Sequence, residues 1–263
     1  DQPASGGSPI LRFFVKTGIL LGGLGLCGAL LAGMALALAW PNLPDLHAMT
    51  DYRPRVPLRV YTADKVLIGE FGEERRNVLR FNEIPDVMKS AVLAAEDDRF
   101  YQHGGVDWAG VARAGLTNLM SGSKSQGAST ITMQVARNFY LSSEKTYSRK
   151  FYELLLTFKI ESQLTKDQIL ELYMNQIYLG HRAYGFAAAS RTYFGKPLSE
   201  VTPAEAAMLA GIPKAPSRFN PLSNRPRAEL RQRYVLNRMY SLGYLTEPEY
   251  KTATAQQLVF KSM

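Results

Sequence analysis

Three short stretches of this sequence concentrate residue types that can do chemistry. The first is EDDRFYQHGGVD, residues 96–107, directly after the apolar run AVLAA. That order puts Glu96, Asp97 and Asp98 near the C-terminus of a helix. A carboxylate there opposes the helix dipole by about 0.3–1 kcal/mol. A sequence chosen only for stability would carry lysine, and local rules of this kind are broken most often at functional sites. Crowded carboxylates at the negative end of a helix also resist ionising, which raises their pKa and suits a general base working near neutral pH. The plain alternative is a solvated acidic turn with His103 as packing.

The second stretch is GSKSQGASTITMQVARN, residues 122–138. Glycine and serine dominate 121–129, the composition of a mobile loop, and Ser129 or Thr130 then begins a helix. A helix N-terminus with free amides and hydroxyls binds anions. The competing account is a helix that is simply well capped. The third stretch is RKFYE, residues 149–153. On a helix, Arg149, Lys150 and Glu153 fall within an arc of about 100°, so one face presents two cations and a carboxylate. Its competing account is an i,i+4 salt bridge worth about 0.2–0.5 kcal/mol, in the poorer order with the base first. Together the three form a coherent set: an acid-rich helix end, a loop-to-helix anion cradle, and a cationic face with a second carboxylate.

The elements that must hold these groups are marked by their ends. Thr165-Lys166-Asp167-Gln168 is a capping box before ILELYMNQIYL, and Thr202-Pro203-Ala204-Glu205 is another with proline at the first helical position. Gly211 and Pro213 close that helix, a further one runs from Arg227 to Leu242 and stops at Gly243, and Thr246 with Glu249 opens the last. Residues 58–81 alternate like short strands, LRVYTADKVLIGEF with a turn at Ala63-Asp64 and then NVLRF. No internal repeat is present. The pattern predicts one mostly α domain with a small β segment at its start.

From Gly18 to Trp40 there is no charged residue over 23 positions. As a helix that run is about 35 Å long, against a hydrocarbon core of roughly 30 Å. Arg12 and Lys16 precede it and no basic residue follows until Arg53, which orients the N-terminus to the cytoplasm. A cleaved signal peptide is the alternative, with Ala35-Leu36-Ala37 or Ala37-Leu38-Ala39 as the cleavage site, although its apolar region is normally only about 7–15 residues. Gly23, Gly25 and Gly28 spell GxGxxG, but with no preceding strand they are membrane-helix glycines rather than a dinucleotide site. Hydrophobic residues make up 46% and charged residues 21% of the 263, ordinary values for a folded protein, so disorder is not the first reading. The net charge of +8 suits nucleic acid, anionic lipid or a phosphate-bearing substrate, and the single Cys27 permits no internal disulfide.

EDDRFYQHGGVD, GASTITMQ, RKFYE and ILELYMNQIYLG occur here in the order and approximate spacing of the family 51 glycosyltransferases. On these motifs the chain resembles the polymerase domains of class A penicillin-binding proteins and of monofunctional transglycosylases. GIPKAPSRFNP, residues 211–221, is similar to a fifth motif. The resemblance implies a mainly α, lysozyme-like fold of two lobes with a groove between them, a short β segment leading in, and one N-terminal transmembrane helix. It implies an enzyme that polymerises lipid II into β-1,4 glycan strands with inversion, releasing undecaprenyl pyrophosphate. By resemblance Glu96 is the general base, and Glu153 is the family's second glutamate, which assists at the donor site or orients cations. Arg149 and Lys150 meet the pyrophosphate. Ser129, Thr130, Gln134 and Arg137 match donor-contacting positions, and Asp97 matches an acidic position that contributes to a divalent ion, Mg or Mn. No organic cofactor is implied. The sequence departs from many members at Met133, where they have glutamine, and at Arg137, where they have lysine.

The organisation that follows is a cytoplasmic tail over 1–16, a transmembrane helix over 17–40, a proline-rich linker over 41–57, the peptidoglycan glycosyltransferase domain over 58–255, and a C-terminal end over 256–263. The resemblance places the chain in the bacterial inner membrane with its catalytic domain in the periplasm. Its implied partners are lipid II, the growing glycan and other cell-wall synthesis proteins, with no nucleic acid. Sensitivity to phosphoglycolipids of the moenomycin type is implied too. SxxK occurs at Ser121–Lys124 and Ser142–Lys145 without a KTG partner and is read as chance. DYRPRVPLRVY and IGEFGEERR resemble the bifunctional class, so 256–263 is expected to begin a linker to a transpeptidase, with a monofunctional enzyme as the alternative. Two rival functions remain at this level, a lytic transglycosylase or muramidase and a membrane-tethered, non-catalytic cell-wall scaffold. The cationic RKFYE face argues against the first, because cleavage of a neutral glycosidic bond releases no pyrophosphate.

Overall fold

The computed structural model describes residues 9–46, 58–64, 67–71, 75–121, 129–140 and 147–261. The glycine-serine loop over 122–128, most of the proline-rich linker and the second SxxK lie outside the described residues. The chain divides into two compact units, Asp1–Pro44 and Asp45–Met263.

In the first unit a 31-residue helix, α1 (Pro9–Ala39), runs into a 3-10 turn over Trp40–Asn42. Phe13, Ile19, Leu24, Leu30 and Met34 of α1 are exposed. Among the described residues no helix is long and apolar enough to cross a membrane. The expected anchor therefore rests on the uncharged Gly18–Trp40 run in the sequence.

The second unit is mainly helical. Its helices are α2 (Asp86–Glu96), α3 (Trp108–Ser121), α4 (Ile131–Tyr140), α5 (Tyr147–Gln163), α6 (Lys166–Gln176), α7 (Phe186–Tyr193), α8 (Pro203–Gly211), α9 (Arg225–Ser241) and α10 (Glu247–Ala255). The capping boxes read from the sequence are present at Thr165, Thr202 and Thr246. Helix α9 starts two residues before the predicted Arg227, because Asn224 caps it and proline stands in its first turn. Helix α8 is buried along its length, with Ala204, Ala206, Ala207 and Ala210 supplying a narrow surface on which α2 and α9 pack. The approach is close: a Cβ on Gly211 would stand 2.8 Å from Cγ of Arg231. Helix α4 packs separately on α5 and α6.

The β segment differs from expectation at one end. Strands β1 (Leu58–Tyr61) and β2 (Leu67–Phe71) form the predicted antiparallel hairpin turning at Ala63-Asp64. The next strand, β3, is Arg75–Arg76 rather than NVLRF, and it pairs in parallel with β4 (Ala183–Tyr184). Side chains of α6 replace the ladder that NVLRF would have needed. Leu79 N–H donates to Asn175 Oδ1 at 3.0 Å, Asn175 Nδ2 donates to Leu79 O at 2.8 Å, and Phe81 N–H donates to Glu171 Oε2 at 2.6 Å. With those backbone groups satisfied, no strand partner is required. The chain is also not helical to its end after residue 81. A tight reversal around Gly180, His181 and Arg182, all at positive φ, delivers β4 and Gly185.

Candidate active site

Helix α2 ends on Glu96, and the buried Asp97 is its C-cap. Glu96 accepts a hydrogen bond on Oε2 from Gln134 Nε2 of α4 at 2.8 Å, while its Oε1 is buried without a partner. Burial pushes the Glu96 pKa up, and the Gln134 hydrogen bond with the charges of Arg231, Lys214 and Arg137 pulls against it. The direction is the one expected for a base, but the cause is desolvation rather than crowding by neighbouring carboxylates. Those neighbours are turned to other partners. Asp97 faces His103 Nε2 at 3.0 and 3.1 Å and accepts from Ile131 N–H at 3.1 Å. Asp98 accepts from Arg238 Nη2 at 2.6 Å. The helix end that the sequence left with three carboxylates is balanced from α9: Arg238 pairs Asp98, and Arg231 Nη2 donates to Ala95 O at 3.2 Å. Cations at a helix C-terminus satisfy orphan carbonyls and the dipole together.

The expected anion cradle at the start of α4 is altered by the tertiary structure. Thr130 is 3% exposed; its Oγ1 accepts from Met133 N–H at 3.2 Å and donates to Gly105 O at 2.6 Å. The amides of Ile131 and Met133 are thus taken by Asp97 and Thr130, and at these two positions the helix is simply capped. Ser129 stays half-buried at the cavity edge.

Glu96, Asp97, Ser129, Thr130, Gln134 and Arg137 line one open cavity of about 860 Å³. Arg113, Lys214, Arg231 and Arg238 join them on its wall, so the cavity carries more cations than the sequence reading assigned. Lys214 lies inside GIPKAPSRFNP, a motif that carried no assigned role. Arg231 and Arg238 are seven residues apart on α9 and share a face, a signal hidden by the many exposed arginines of that helix.

Arg149, Lys150 and Glu153 do not line this cavity. Glu153 is 1% exposed rather than presented at the surface, and it pairs with Lys150 at i,i+3. Lys150 Nζ also lies 3.9 Å from Met133 Sδ. The third cluster is therefore linked to the first through α4, whose successive residues Met133 and Gln134 contact Lys150 and Glu96. Among the described residues no group of three or more His, Cys, Asp or Glu is arranged to hold a metal ion. Both oxygens of Asp97 face His103 and one also takes an amide, so this donor set does not fit a divalent cation.

The family model described as Transglycosylase matches residues 64–240. Penicillin-binding protein 1A of Neisseria flavescens is 52% identical over 239 residues, covering 91% of this chain and 30% of that protein. Penicillin-binding protein 1A of Pseudomonas aeruginosa is 47% identical over 251 residues, covering 95% and 30%. A crystal structure of penicillin-binding protein 1A from Haemophilus influenzae aligns at 31% identity with a TM-score of 0.47, over 80% of this chain and 22% of that one. The chain spans less than a third of the length of these relatives. Because the family model runs from the β1–β2 turn to the end of α9, well over half of the sequence, the chain belongs to the transglycosylase family.

Proposed function

We propose that this chain is a peptidoglycan glycosyltransferase that joins lipid II units into a β-1,4 glycan. The observation that carries the reading is the Glu96 carboxylate: buried, raised in pKa, held by Gln134, and set in a cavity walled by arginine and lysine. Glu96 takes the proton from the 4-hydroxyl of the acceptor sugar. The freed oxygen attacks the donor's anomeric carbon from the face opposite the leaving group, and the bond to pyrophosphate breaks with inversion. Undecaprenyl pyrophosphate departs with the electron pair as an anion, so it needs cations more than a proton donor. Lys150 and Arg149, assigned to that anion by resemblance although neither lines the Glu96 cavity, answer that need, with the buried Glu153 orienting Lys150 through their ion pair. Arg137 and Ser129 contact the donor from the cavity edge.

In this reading the fold has two lobes in a lysozyme-like arrangement, and α1 anchors the chain in the bacterial inner membrane. The uncharged Gly18–Trp40 run and the preceding Arg12 and Lys16 support the anchor and its orientation, with the catalytic unit outside. Lipid II reaches the site from the same membrane, and other cell-wall synthesis proteins work beside it. Membership of the transglycosylase family favours neither a lytic enzyme nor a scaffold. The test is detergent-solubilised protein with labelled lipid II, comparing wild type with Glu96→Gln. Polymer from wild type and near-complete loss in the variant is the expected result. No polymer from folded wild type, or full activity without Glu96, overturns the reading.

A further inference from the structure

Between α8 and α9 the chain runs through residues 212–224 as a string of turns, such as Ala215 N–H to Ile212 O at 3.1 Å and Arg218 N–H to Ala215 O at 2.9 Å. This segment carries Pro213 and Lys214 to the wall of the Glu96 cavity. Lys214 is exposed, and its side chain makes no hydrogen bond or ion pair among the described residues. The backbone therefore decides where its ammonium stands. Among the described residues, one side-chain hydrogen bond ties the segment to an element other than α9. Buried Asn220 donates from Nδ2 to Oη of buried Tyr193 at 3.0 Å, and Tyr193 Oη donates to Leu179 O at 2.6 Å. Asn220 Oδ1 accepts from Leu222 N–H at 2.9 Å, and its carbonyl accepts from Asn224 N–H, the cap of α9, at 2.8 Å. Tyr193 ends α7 and is fixed in turn, since its carbonyl accepts from Lys261 N–H at 2.8 Å. The same contact accounts for a strained turn. Leu179 leads into the reversal where His181 and Arg182 stand at φ 46° and 60°, a conformation that persists where the surroundings over-determine it. A Cβ on Gly180 would stand 2.8 Å from both Asn220 Nδ2 and Tyr193 Oη, and the His181 ring meets Tyr193 edge-on at 6.0 Å.

We propose that Tyr193 and Asn220 are a positioning pair for Lys214: their hydrogen bond registers the 212–224 segment on the body of the domain, so that the Lys214 ammonium meets an anionic group of the bound substrate and keeps its charge within reach of Glu96. Neither member of the pair lines the cavity, so each acts through the lysine. Burial holds the Tyr193 phenol above its usual range. The hydroxyl thus keeps its proton for Leu179 O and a lone pair for Asn220. The charges acting on Glu96 are Arg231 of α9, then Lys214, then Arg137 of α4. The two arginines are carried by helices; Lys214 is the one carried by turns.

This inference rests on the proposed polymerase reading of the cavity. Asn220→Ala removes the Nδ2 donor and leaves the Tyr193–Leu179 bond in place. KM for lipid II rises about three- to tenfold, the range of one hydrogen bond, while kcat well above the acid limb changes by less than about twofold. Withdrawing a positive charge raises the pKa of a carboxyl group, so the acid limb of the pH–rate profile moves to higher pH. Both changes vanish when Asn220→Ala is placed in a Lys214→Ala background, because the pair then has no ammonium to position. Tyr193→Phe keeps the ring and gives the same pattern, which covers the case in which Asn220→Ala does not fold. A pair with a structural role alone lowers kcat with the folded fraction, leaves KM and the limb unmoved, and acts equally with or without Lys214; that result overturns the inference. Hydrogen exchange gives a readout without turnover: in Asn220→Ala the amides between Lys214 and Phe219 exchange faster while those of α8 and α9 do not. Unchanged exchange there also overturns it. If exchange quickens as expected but wild type makes no polymer, the pair stands as the clamp on this segment and the polymerase reading falls.

Discussion

Replacing Gln134 by methionine distinguishes holding the base from holding the substrate. Gln134 is 6% exposed and donates to Glu96 Oε2 at 2.8 Å. It is the one side chain among the described residues that donates a hydrogen bond to that carboxylate. Methionine keeps the length of the side chain and removes the donor. A hydrogen bond to a charged group contributes about 1.5–3 kcal/mol, equivalent to roughly 10–100-fold in an equilibrium or a rate. Losing it disfavours the ionised form, so Glu96 moves further up from its ordinary value. At a pH below its folded pKa, the ionised fraction and hence the rate fall by up to that factor. At a pH well above it, Glu96 is ionised in both proteins and only a loss of orientation remains. Initial rates of glycan polymerisation from labelled lipid II, measured from roughly pH 5.5 to 9.5, should show a deficit that shrinks as the pH rises. A deficit of equal size at every pH would refute the reasoning and return Gln134 to the role of a donor-sugar contact.

Two further outcomes follow from the same geometry. Glu96 is raised above 4.5 by burial, so its contribution to stability is fully present below the unfolded value and is lost as pH rises through the folded value. Glu96→Gln, neutral throughout, should therefore melt close to wild type below pH 4.5 and increasingly above it as the pH rises from there; calorimetry giving a flat difference would show that ionised Glu96 carries no cost. Gly185 sits at φ +81, where an alanine Cβ would stand 2.6 Å from the backbone oxygen of Asn175. Gly185→Ala should lower unfolding free energy by at least about 2 kcal/mol and loosen the Asn175–Leu79 pair, and an unchanged denaturation midpoint would rule this out.

Where most elements start and stop, and which residue types gather into clusters, could be read along the chain. Capping boxes at Thr165, Thr202 and Thr246 were legible because a cap is a contact between residues three apart, with both partners inside one short window. The acid-rich end of α2 and the start of α4 were legible for the same reason. Family membership was legible because the motifs recur in order, although roles taken from resemblance say nothing of who pairs with whom. Long-range partners were decided only by the tertiary structure. It turned Asp97 and Thr130 inward to cap α4 and brought Arg231 and Arg238 from more than 130 residues away to the end of α2. It also let Asn175 stand in for a strand beside Leu79, across 96 residues. Burial likewise belongs to the fold. Glu153 looked like part of a surface face and is 1% exposed, and Glu96 owes its raised pKa to desolvation rather than to its acidic neighbours. Periodicity reports which side of a helix is apolar; how completely a given carboxylate loses water depends on what other helices lay over it.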